Sequence, residues 1–271
     1  MHSEPRSNAA ALFLRMAAKK EQLNLRIDRI RILAMGWIHL VLVDPAGGNL
    51  PLCEPGQFVE VAVDRAAVLL NRPFSVYNST AKTLELLVTP IGRASNALRE
   101  YAEGDILRVI MPLGHGFSTV PAGSKVLLVG GGVGIAPLYY QMLRLKAAGA
   151  VPTVIFGART APDKWLCDRF EAECTLHVCT DDGSFGFHGL VTRHPAFAPA
   201  DYDKMQICGP KPMMKACATA ARDTGVDTEL SLENHMACGL GACLCCVEDT
   251  VDGNVCVCKN GPVFNLNALK W

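Results

Sequence analysis

The sequence lacks the features that usually indicate a nucleic-acid-binding or membrane-spanning protein. Lysine plus arginine equals aspartate plus glutamate at 26 each, and no basic stripe favours a polyanion. The longest apolar stretch, residues 126–138, contains several glycines and a proline and is far shorter than the roughly 20 residues that a spanning helix needs. We therefore expect neither a nucleic-acid partner nor a membrane span.

A secretory signal and an internal repeat are also lacking. The first twenty residues are basic and rich in alanine, but Arg15 interrupts their only apolar stretch, so a signal-peptide core is not supported. Residues 1–22 are predicted to form an extension outside the folded domains. Twelve cysteines without a secretory signal are typical of a reducing compartment, so we expect a cytoplasmic protein with free thiols.

Half of the 271 residues are hydrophobic, and their pattern divides the chain into three parts with a mixed β and α/β fold. In residues 23–120 the apolar runs are short and separated by Gly, Pro and Asp, which predicts an antiparallel β-barrel with one short helix near residues 95–101. Residues 121–233 alternate strand-like and helix-like segments, which predicts a mostly parallel sheet. Residues 234–271 have no helical period and need a metal cluster or a partner to hold their shape.

The barrel segment contains a short run, from Arg72 to Tyr77, that suits a flavin diphosphate. The guanidinium of Arg72 can pair with pyrophosphate in a bidentate way, the Ser75 hydroxyl can bond flavin or phosphate, and an aromatic ring of the run can stack on isoalloxazine. A surface arginine that leads into a turn is the alternative. Further on, residues 92–95 begin the predicted helix. Its N-terminal amides could contact a second phosphate.

Several glycines follow the first strand of the middle part. Gly130, Gly131, Gly132 and Gly134 stand between that strand and a helix, where they would let a pyrophosphate approach the backbone and the helix N-terminus. Proline at position 137 departs from the G-x-G-x-x-G pattern. A tight turn without a ligand is the alternative interpretation.

Later strand ends point to the same edge of the sheet, because ligands of an open parallel sheet lie at the carboxyl ends of its strands. Asp182 follows one such strand, and Cys208 and Gly209 end another. Cys208 could lie near a nicotinamide, although a cysteine at a strand end is by default a small buried hydrophobic residue. Arg159 could meet a 2'-phosphate, so the choice between NAD and NADP stays open.

Six of the twelve cysteines lie in the C-terminal part. Four of them have the spacing C-x4-C-x2-C-x11-C: Cys238, Cys243, Cys246 and Cys258. This is the plant-type ferredoxin pattern with a nearer fourth cysteine, and it favours a [2Fe-2S] cluster over zinc, which usually has two short cysteine pairs. Cys245 and Cys256 lie in the same segment, so counting alone does not decide which four bind metal. A zinc-stabilised binding module without a redox role is the alternative.

In this order, the motifs RPFS, GGGVGIAPL, TDDGSFGFHGLVT, CGPKPM and MACGLGACLCCV…CKNGPVF make a specific pattern. The chain resembles, over nearly all of its length beyond residue 22, the electron-transfer subunits of type B dihydroorotate dehydrogenase, in the ferredoxin-NADP reductase superfamily. The resemblance implies an FAD-binding barrel (23–120), an NAD-binding domain (121–233) and a [2Fe-2S] segment (234–271). Electrons would pass between NAD and an FMN-containing catalytic subunit in pyrimidine biosynthesis, in a heterotetramer of two plus two.

The resemblance also implies site residues. The cluster ligands would be Cys238, Cys243, Cys246 and Cys258, which leaves Cys245 and Cys256 outside the set. The FAD contacts would be Arg72, Pro73, Phe74, Ser75, Leu87, Val88, Thr89, Ala94 and Ser95. The last two replace a Gly-Thr pair that the family usually has, so part of the phosphate contact differs. A small subunit of a ferredoxin-NADP oxidoreductase or of sulfide dehydrogenase would share these cofactors, but such relatives often have an acid in place of one cluster cysteine.

Overall fold

The computed structural model describes residues 19–271, so the predicted N-terminal extension lies outside the described residues except for its last four positions. The barrel segment contains β1 (Glu21–Ile32), β2 (Ile38–Val43), β3 (Phe58–Ala62), β4 (Arg72–Ser79), β5 (Leu84–Val88), α1 (Arg93–Ala97) and β6 (Ile106–Leu113). The middle segment contains β7 (Lys125–Gly131), α2 (Ile135–Ala147), β8 (Val151–Ala158), α3 (Lys164–Glu171), β9 (Thr175–Thr180), β10 (Phe187–His188), β11 (Lys204–Cys208), α4 (Lys211–Thr224) and β12 (Asp227–Ser231). The C-terminal segment contains β13 (Val247–Thr250), β14 (Gly253–Cys256), α5 (Val257–Asn260) and β15 (Val263–Asn265).

The first six strands close into an antiparallel barrel in the order β1-β2-β5-β4-β3-β6, which confirms the predicted barrel. Alternate apolar side chains fill its interior, for example Leu40 and Leu42 of β2 with Val59 and Val61 of β3. The predicted short helix is α1, followed by a single 3-10 turn at Leu98–Glu100. The FAD-type run that begins at Arg72 is itself a barrel strand, β4.

The second sheet has the order β10-β9-β8-β7-β11-β12-β15, and all its pairs are parallel except the last. This confirms the predicted mostly parallel sheet. One face packs against α2 and α3, and the other packs against α4 and the C-terminal segment. Within residues 19–271, no helix has both the length and the hydropathy that crossing a membrane would require.

A buried polar network holds the connection between the barrel and the second sheet at Ser118. The Glu229 carboxylate accepts hydrogen bonds from the Ser118 N–H at 3.1 Å and from Gln206 Nε2 at 2.9 Å. Gln141 Nε2 donates to the Ser118 carbonyl at 3.2 Å and to Gln206 Oε1 at 2.8 Å. Because these side chains satisfy one another away from water, the network fixes the connecting segment to the sheet.

The three parts of the chain meet at Gly261 and Pro262. The His115 N–H, just after the barrel, donates to the Gly261 carbonyl at 2.6 Å, and the Leu232 N–H, just after β12, donates to the Pro262 carbonyl at 2.9 Å. Gly114 has a φ of +74°, and a Cβ there would lie 2.6 Å from the Gly261 carbonyl oxygen. Only glycine fits this backbone conformation and this close approach.

Gly114→Ala should therefore destabilise the protein more than a left-handed φ alone would. Gly123→Ala is the matched control, because Gly123 has a similar φ of +82° but no atom within 4 Å of the point that a Cβ would occupy. We expect a loss of unfolding free energy of about 1–2 kcal/mol for the control and a further loss of about 1–3 kcal/mol for Gly114→Ala from the collision. Urea unfolding measures both, and equal losses would contradict the close packing at this junction.

Candidate functional site

A cavity of about 670 Å³ lies between the barrel, the N-terminus of α2 and the segment that follows β12. The predicted FAD residues line it, with the exception of Ala94: Arg72, Pro73, Phe74, Ser75, Leu87, Val88, Thr89 and Ser95. They come together because the start of β4 lies beside the end of β5 in an antiparallel pair. Ala94 is buried in the barrel core instead.

The cavity has polar groups that suit a bound flavin nucleotide. Thr89 Oγ1 is buried and has no hydrogen-bond partner among the described residues, which is typical of a group that bonds a ligand. Arg72 Nη1 donates to the carbonyls of Leu70 and Asn71 at 2.9 and 3.0 Å, and these bonds orient its guanidinium. The residues present therefore fit an anionic, aromatic cofactor.

Ser95 lines the cavity and also bonds its own loop, and its predicted contact with FAD stays a prediction. Its Oγ accepts hydrogen bonds from the N–H groups of Ile91 and Gly92 at 3.1 and 3.0 Å. The hydroxyl therefore holds the loop before α1, and this helix has only five residues. Ser95 shapes the cavity by fixing that loop.

The opposite wall of the cavity contains residues that the sequence alone did not indicate. It is formed by the segment from Leu232 to Ala237 and by Cys245. Glu233 in this segment is the second residue after β12, so its position after a parallel strand was the signal that could have revealed it. Cys208 lies next to Glu233, with its Sγ 3.9 Å from Glu233 Oε1.

Cys208 does not line this cavity. It is fully buried at the end of β11, and burial raises the pKa of its thiol well above the usual value, with a further increase from the charge of Glu233. The thiol is therefore neutral, and the Glu233 carboxyl that lies 3.9 Å from it does line the first cavity. A contact between Cys208 and a nicotinamide stays a prediction.

A second cavity, of about 410 Å³, lies at the carboxyl edge of the parallel sheet. Gly131 and Gly132 line it, together with Arg159 after β8 and Asp181 after β9. Asp182 does not line this cavity and is exposed. Its carboxylate accepts hydrogen bonds from the N–H and the hydroxyl of Ser184 at 2.9 and 2.6 Å. The edge position predicted for a nucleotide thus holds a cavity with one arginine and one aspartate.

The remaining predicted glycines serve close packing. A Cβ at Gly130 would lie 2.6 Å from Ile135 Cδ1, and one at Gly134 would lie 2.5 Å from the Cys208 carbonyl oxygen. At Gly209 it would lie 2.8 Å from the Gly131 amide nitrogen. These glycines therefore bring β7, α2 and β11 close together, which positions Gly131 and Gly132 at the cavity.

The four predicted cluster cysteines form two adjacent pairs. Cys246 and Cys258 are buried, and the Cys258 N–H donates to Cys246 Sγ at 3.4 Å. Cys238 and Cys243 lie in the more exposed part of the loop, where the Cys243 thiol is close enough to lower the pKa of Cys238. A [2Fe-2S] cluster takes four cysteine ligands, two on each iron, and two adjacent pairs are compatible with that number.

Backbone amides surround Cys238. Burial by itself raises the pKa of this thiol, but hydrogen bonds from the N–H groups of Leu240, Ala242 and Cys243 and from the Cys243 thiol outweigh it and lower the pKa to about 6. The loop can curl in this way because Gly239 and Gly241 have φ values of +63° and +84°. Cys238 is therefore a thiolate at neutral pH, the form that binds metal.

The two additional cysteines lie close to this loop as well. Cys245 is exposed and lines the first cavity, on the flavin side. Cys256 Sγ lies 3.8 Å from the Gly241 carbonyl oxygen, so distance alone does not separate it from the ligand set. Among residues 19–271, no three His, Cys, Asp or Glu side chains are arranged to hold a single metal ion.

Tyr77, at the end of the FAD-type run, does not line the first cavity; Phe74 is the ring that does. Tyr77 is fully buried and stacks on Tyr139 of α2, with ring centroids 4.5 Å apart. Arg169 of α3 lies over both rings and its Nη1 is 3.4 Å from Glu85 Oε2. These contacts join the barrel to the helices of the parallel sheet.

Glu85 should make stability depend on pH. Burial raises its pKa, but hydrogen bonds from His39 and Asn78 and the charge of Arg169 outweigh burial, so the pKa is lowered. A lowered pKa in the folded state adds stability above the unfolded value of about 4.3, and that stability is lost as pH falls through the folded value.

Glu85→Gln should therefore lower the unfolding free energy by about 1–3 kcal/mol at pH 7, and the difference from wild type should shrink below about pH 4. Urea unfolding at a series of pH values measures this. Glu103→Gln, at an exposed position of the barrel segment, should change little at any pH. If the difference in unfolding free energy between Glu85→Gln and wild type stays constant down to about pH 3, the ionised Glu85 carboxylate is not the source of the stability.

Known proteins are similar in sequence to this chain. A family model described as the iron-sulfur cluster binding domain of dihydroorotate dehydrogenase B matches residues 233–270. The dihydroorotate dehydrogenase B (NAD(+)) electron transfer subunit of Listeria monocytogenes is 37% identical over 224 residues, which are 80% of this chain and 87% of that protein. The probable counterpart from Methanocaldococcus jannaschii is 40% identical over 221 residues, 80% and 81% of the two chains.

Solved structures are similar over most of the chain. A chain of the NADH-dependent reduced ferredoxin-NADP oxidoreductase, studied for flavin-based electron bifurcation, has a TM-score of 0.79 and 31% identity and covers 92% of this chain and 90% of its own. Phthalate dioxygenase reductase has a TM-score of 0.57 and 22% identity, with 75% and 64% covered, and this likeness concerns the fold.

Proposed function

The chain belongs to the family of electron-transfer subunits of dihydroorotate dehydrogenase B, and from this premise we propose that it passes electrons between NAD and a catalytic partner subunit through FAD and a [2Fe-2S] cluster. The observation that carries the proposal is the first cavity, where the predicted flavin residues and the cysteine-containing segment face each other. The proposed ligand Cys238 directly follows Ala237 of this wall, so a cluster held by the loop would lie next to a flavin in the cavity.

The first cavity is the proposed FAD site. Arg72 would pair with the diphosphate, Phe74 would pack against the ring system, and the Thr89 hydroxyl would gain the hydrogen-bond partner that it lacks. When bound, FAD supplies the conversion between two-electron hydride transfer and single-electron transfer. The barrel and the segment after β12 form the two opposite walls of this site.

The second cavity is the proposed NAD site. The turn at Gly131 and Gly132 leads through a 3-10 turn into the N-terminus of α2, whose unpaired amides and dipole favour a pyrophosphate. Arg159 and Asp181 stand on either side of the same cavity. A carboxylate there opposes a 2'-phosphate while the arginine attracts one, and we favour NAD because the relatives from Listeria and Methanocaldococcus carry NAD(+) in their names.

Cys238, Cys243, Cys246 and Cys258 are the proposed cluster ligands, because they form the two adjacent pairs. Cys258→Ser should abolish the visible absorbance of the cluster while FAD is retained, since Cys258 is a proposed ligand that is buried and does not line the first cavity. Cys256→Ser is the matched control and should retain both cofactors. Absorbance spectra and iron and zinc analysis of the purified proteins decide the result.

The opposite result, with cluster loss in Cys256→Ser and retention in Cys258→Ser, would move the fourth ligand to Cys256. Wild-type protein that contains zinc and neither chromophore would instead support the zinc-stabilised module.

The proposed partner is an FMN-containing subunit that oxidises dihydroorotate, in a cytoplasmic heterotetramer of two plus two. Large apolar side chains are exposed on the cluster loop and next to it: Leu240 (47%), Leu244 (65%) and Val247 (38%). Leu244 also has a φ of +58°, a conformation that is uncommon for a leucine. An apolar surface beside a redox centre suits a protein interface.

Leu244→Asn tests this surface, because asparagine tolerates a positive φ and removes the apolar contact. When the chain is co-expressed with a candidate catalytic subunit, wild type should yield a complex that reduces NAD with dihydroorotate. The variant should retain cluster absorbance but lose at least about tenfold in complex affinity, which corresponds to about 1.4 kcal/mol. Val151→Asn, at an exposed apolar residue that begins β8, is the control and should bind as wild type does.

A second candidate is the small subunit of a ferredoxin-NADP oxidoreductase, favoured by the 31% identity to such a structure over 92% of this chain. The co-expression experiment separates the two. A wild-type chain with full FAD and iron content that supports no dihydroorotate-dependent reduction of NAD would favour this second candidate.

A further inference from the structure

Glu60 of β3 is a buried acid without a partner. Its neighbours Val59 and Val61 point into the barrel, so strand alternation places Glu60 on the outer face. That face is covered, since Glu60 is only 1% exposed, and neither of its carboxyl oxygens has a hydrogen-bond partner among residues 19–271. Buried polar side chains nearly always have hydrogen-bond partners. The unpartnered carboxyl of Glu60 therefore indicates that a bound group supplies a partner at this site.

The covering segment is the cluster loop. A Cβ at Gly239 would lie 2.7 Å from Glu60 Cγ and 3.1 Å from Glu60 Oε1, so the backbone beside Cys238 rests directly on the carboxyl. On the other side, Glu60 pairs across the strands with Pro73 of β4, next to Arg72. Glu60 therefore lies between the proposed FAD residues and the proposed cluster.

The surroundings of Glu60 favour the protonated, neutral form of its carboxyl group. A buried carboxylate without hydrogen bonds is costly, so such a group keeps its proton instead. Burial raises the pKa of Glu60 to about 7, although Arg72 lowers it in part. A neutral carboxyl carries one O–H donor, and the sulfur atoms of the neighbouring site are acceptors.

We propose that Glu60 is a positioning residue that donates a hydrogen bond to a sulfur atom of the cluster site, on the Cys238 side, and thereby raises the reduction potential of the cluster. The inference rests on the proposed binding of a [2Fe-2S] cluster by Cys238. Hydrogen bonds to cluster sulfurs stabilise the reduced, more negative state, which is how a protein adjusts such potentials. Glu60 would thus stabilise the reduced form of the cluster.

A redox titration of the full-length protein, loaded with FAD and cluster and followed by electron paramagnetic resonance, tests the inference. Glu60→Leu removes the donor and should lower the ratio of reduced to oxidised cluster at a fixed potential about tenfold, which is about 59 mV for one electron. Glu60→Gln keeps an N–H donor and should stay within about twofold of wild type, about 18 mV. Glu103→Gln, at an exposed position, is the control for removal of a distant acid and should match wild type.

The outcomes are distinct. An unchanged or raised potential in Glu60→Leu overturns the proposal, and so does a decrease in Glu60→Gln as large as in Glu60→Leu. If Glu60→Leu does not bind iron, Glu60→Met, which also lacks a donor, replaces it in the same comparison. A wild-type protein without a cluster signal would overturn the proposed function, whereas a normal wild-type signal with no response to Glu60 overturns only this inference.

Discussion

The antiparallel pairing of β15 with β12 is the constraint on which the arrangement of both sites depends. It joins the last segment of the chain to the sheet that carries the nucleotide cavity, with Leu230 opposite Phe264. Directly before β15, Gly261 and Pro262 bond to the end of the barrel and to the residue after β12. The cysteine loop between these anchors is therefore held against the barrel and against the sheet at the same time, although it has little regular structure of its own.

The barrel and the parallel sheet could be predicted because their signals are local: short apolar runs between turn residues for one, and strands alternating with helices for the other. The edge strand β15 could not, since it has three residues and forms only by pairing with a distant strand. The burial of Glu60 could not be predicted from the sequence either. Strand alternation assigns an acid between two valines to the solvent face, and only the folded chain shows that the cluster loop covers it.

For the site itself, residue type could be predicted better than residue role. The predicted flavin run does line a cavity, yet Tyr77 at its end stacks on α2, and Ser95 bonds its own loop. The glycine-rich turn divides in the same way, because Gly131 and Gly132 face the second cavity while Gly130 and Gly134 permit close packing. A motif records which residues a turn requires, but it does not distinguish those that touch a ligand from those that let the backbone reach it.

The exposure of the cysteine loop also follows from its position. Cys246 and Cys258 are anchored in the core, whereas Cys243 and the apolar side chain of Leu244 face outward. In the proposed function, electrons pass between the flavin side and a partner subunit, so one side of the site has to remain near the surface. Two of the four proposed ligands are thereby buried, and a docked partner would cover the apolar side chains that remain exposed beside the loop.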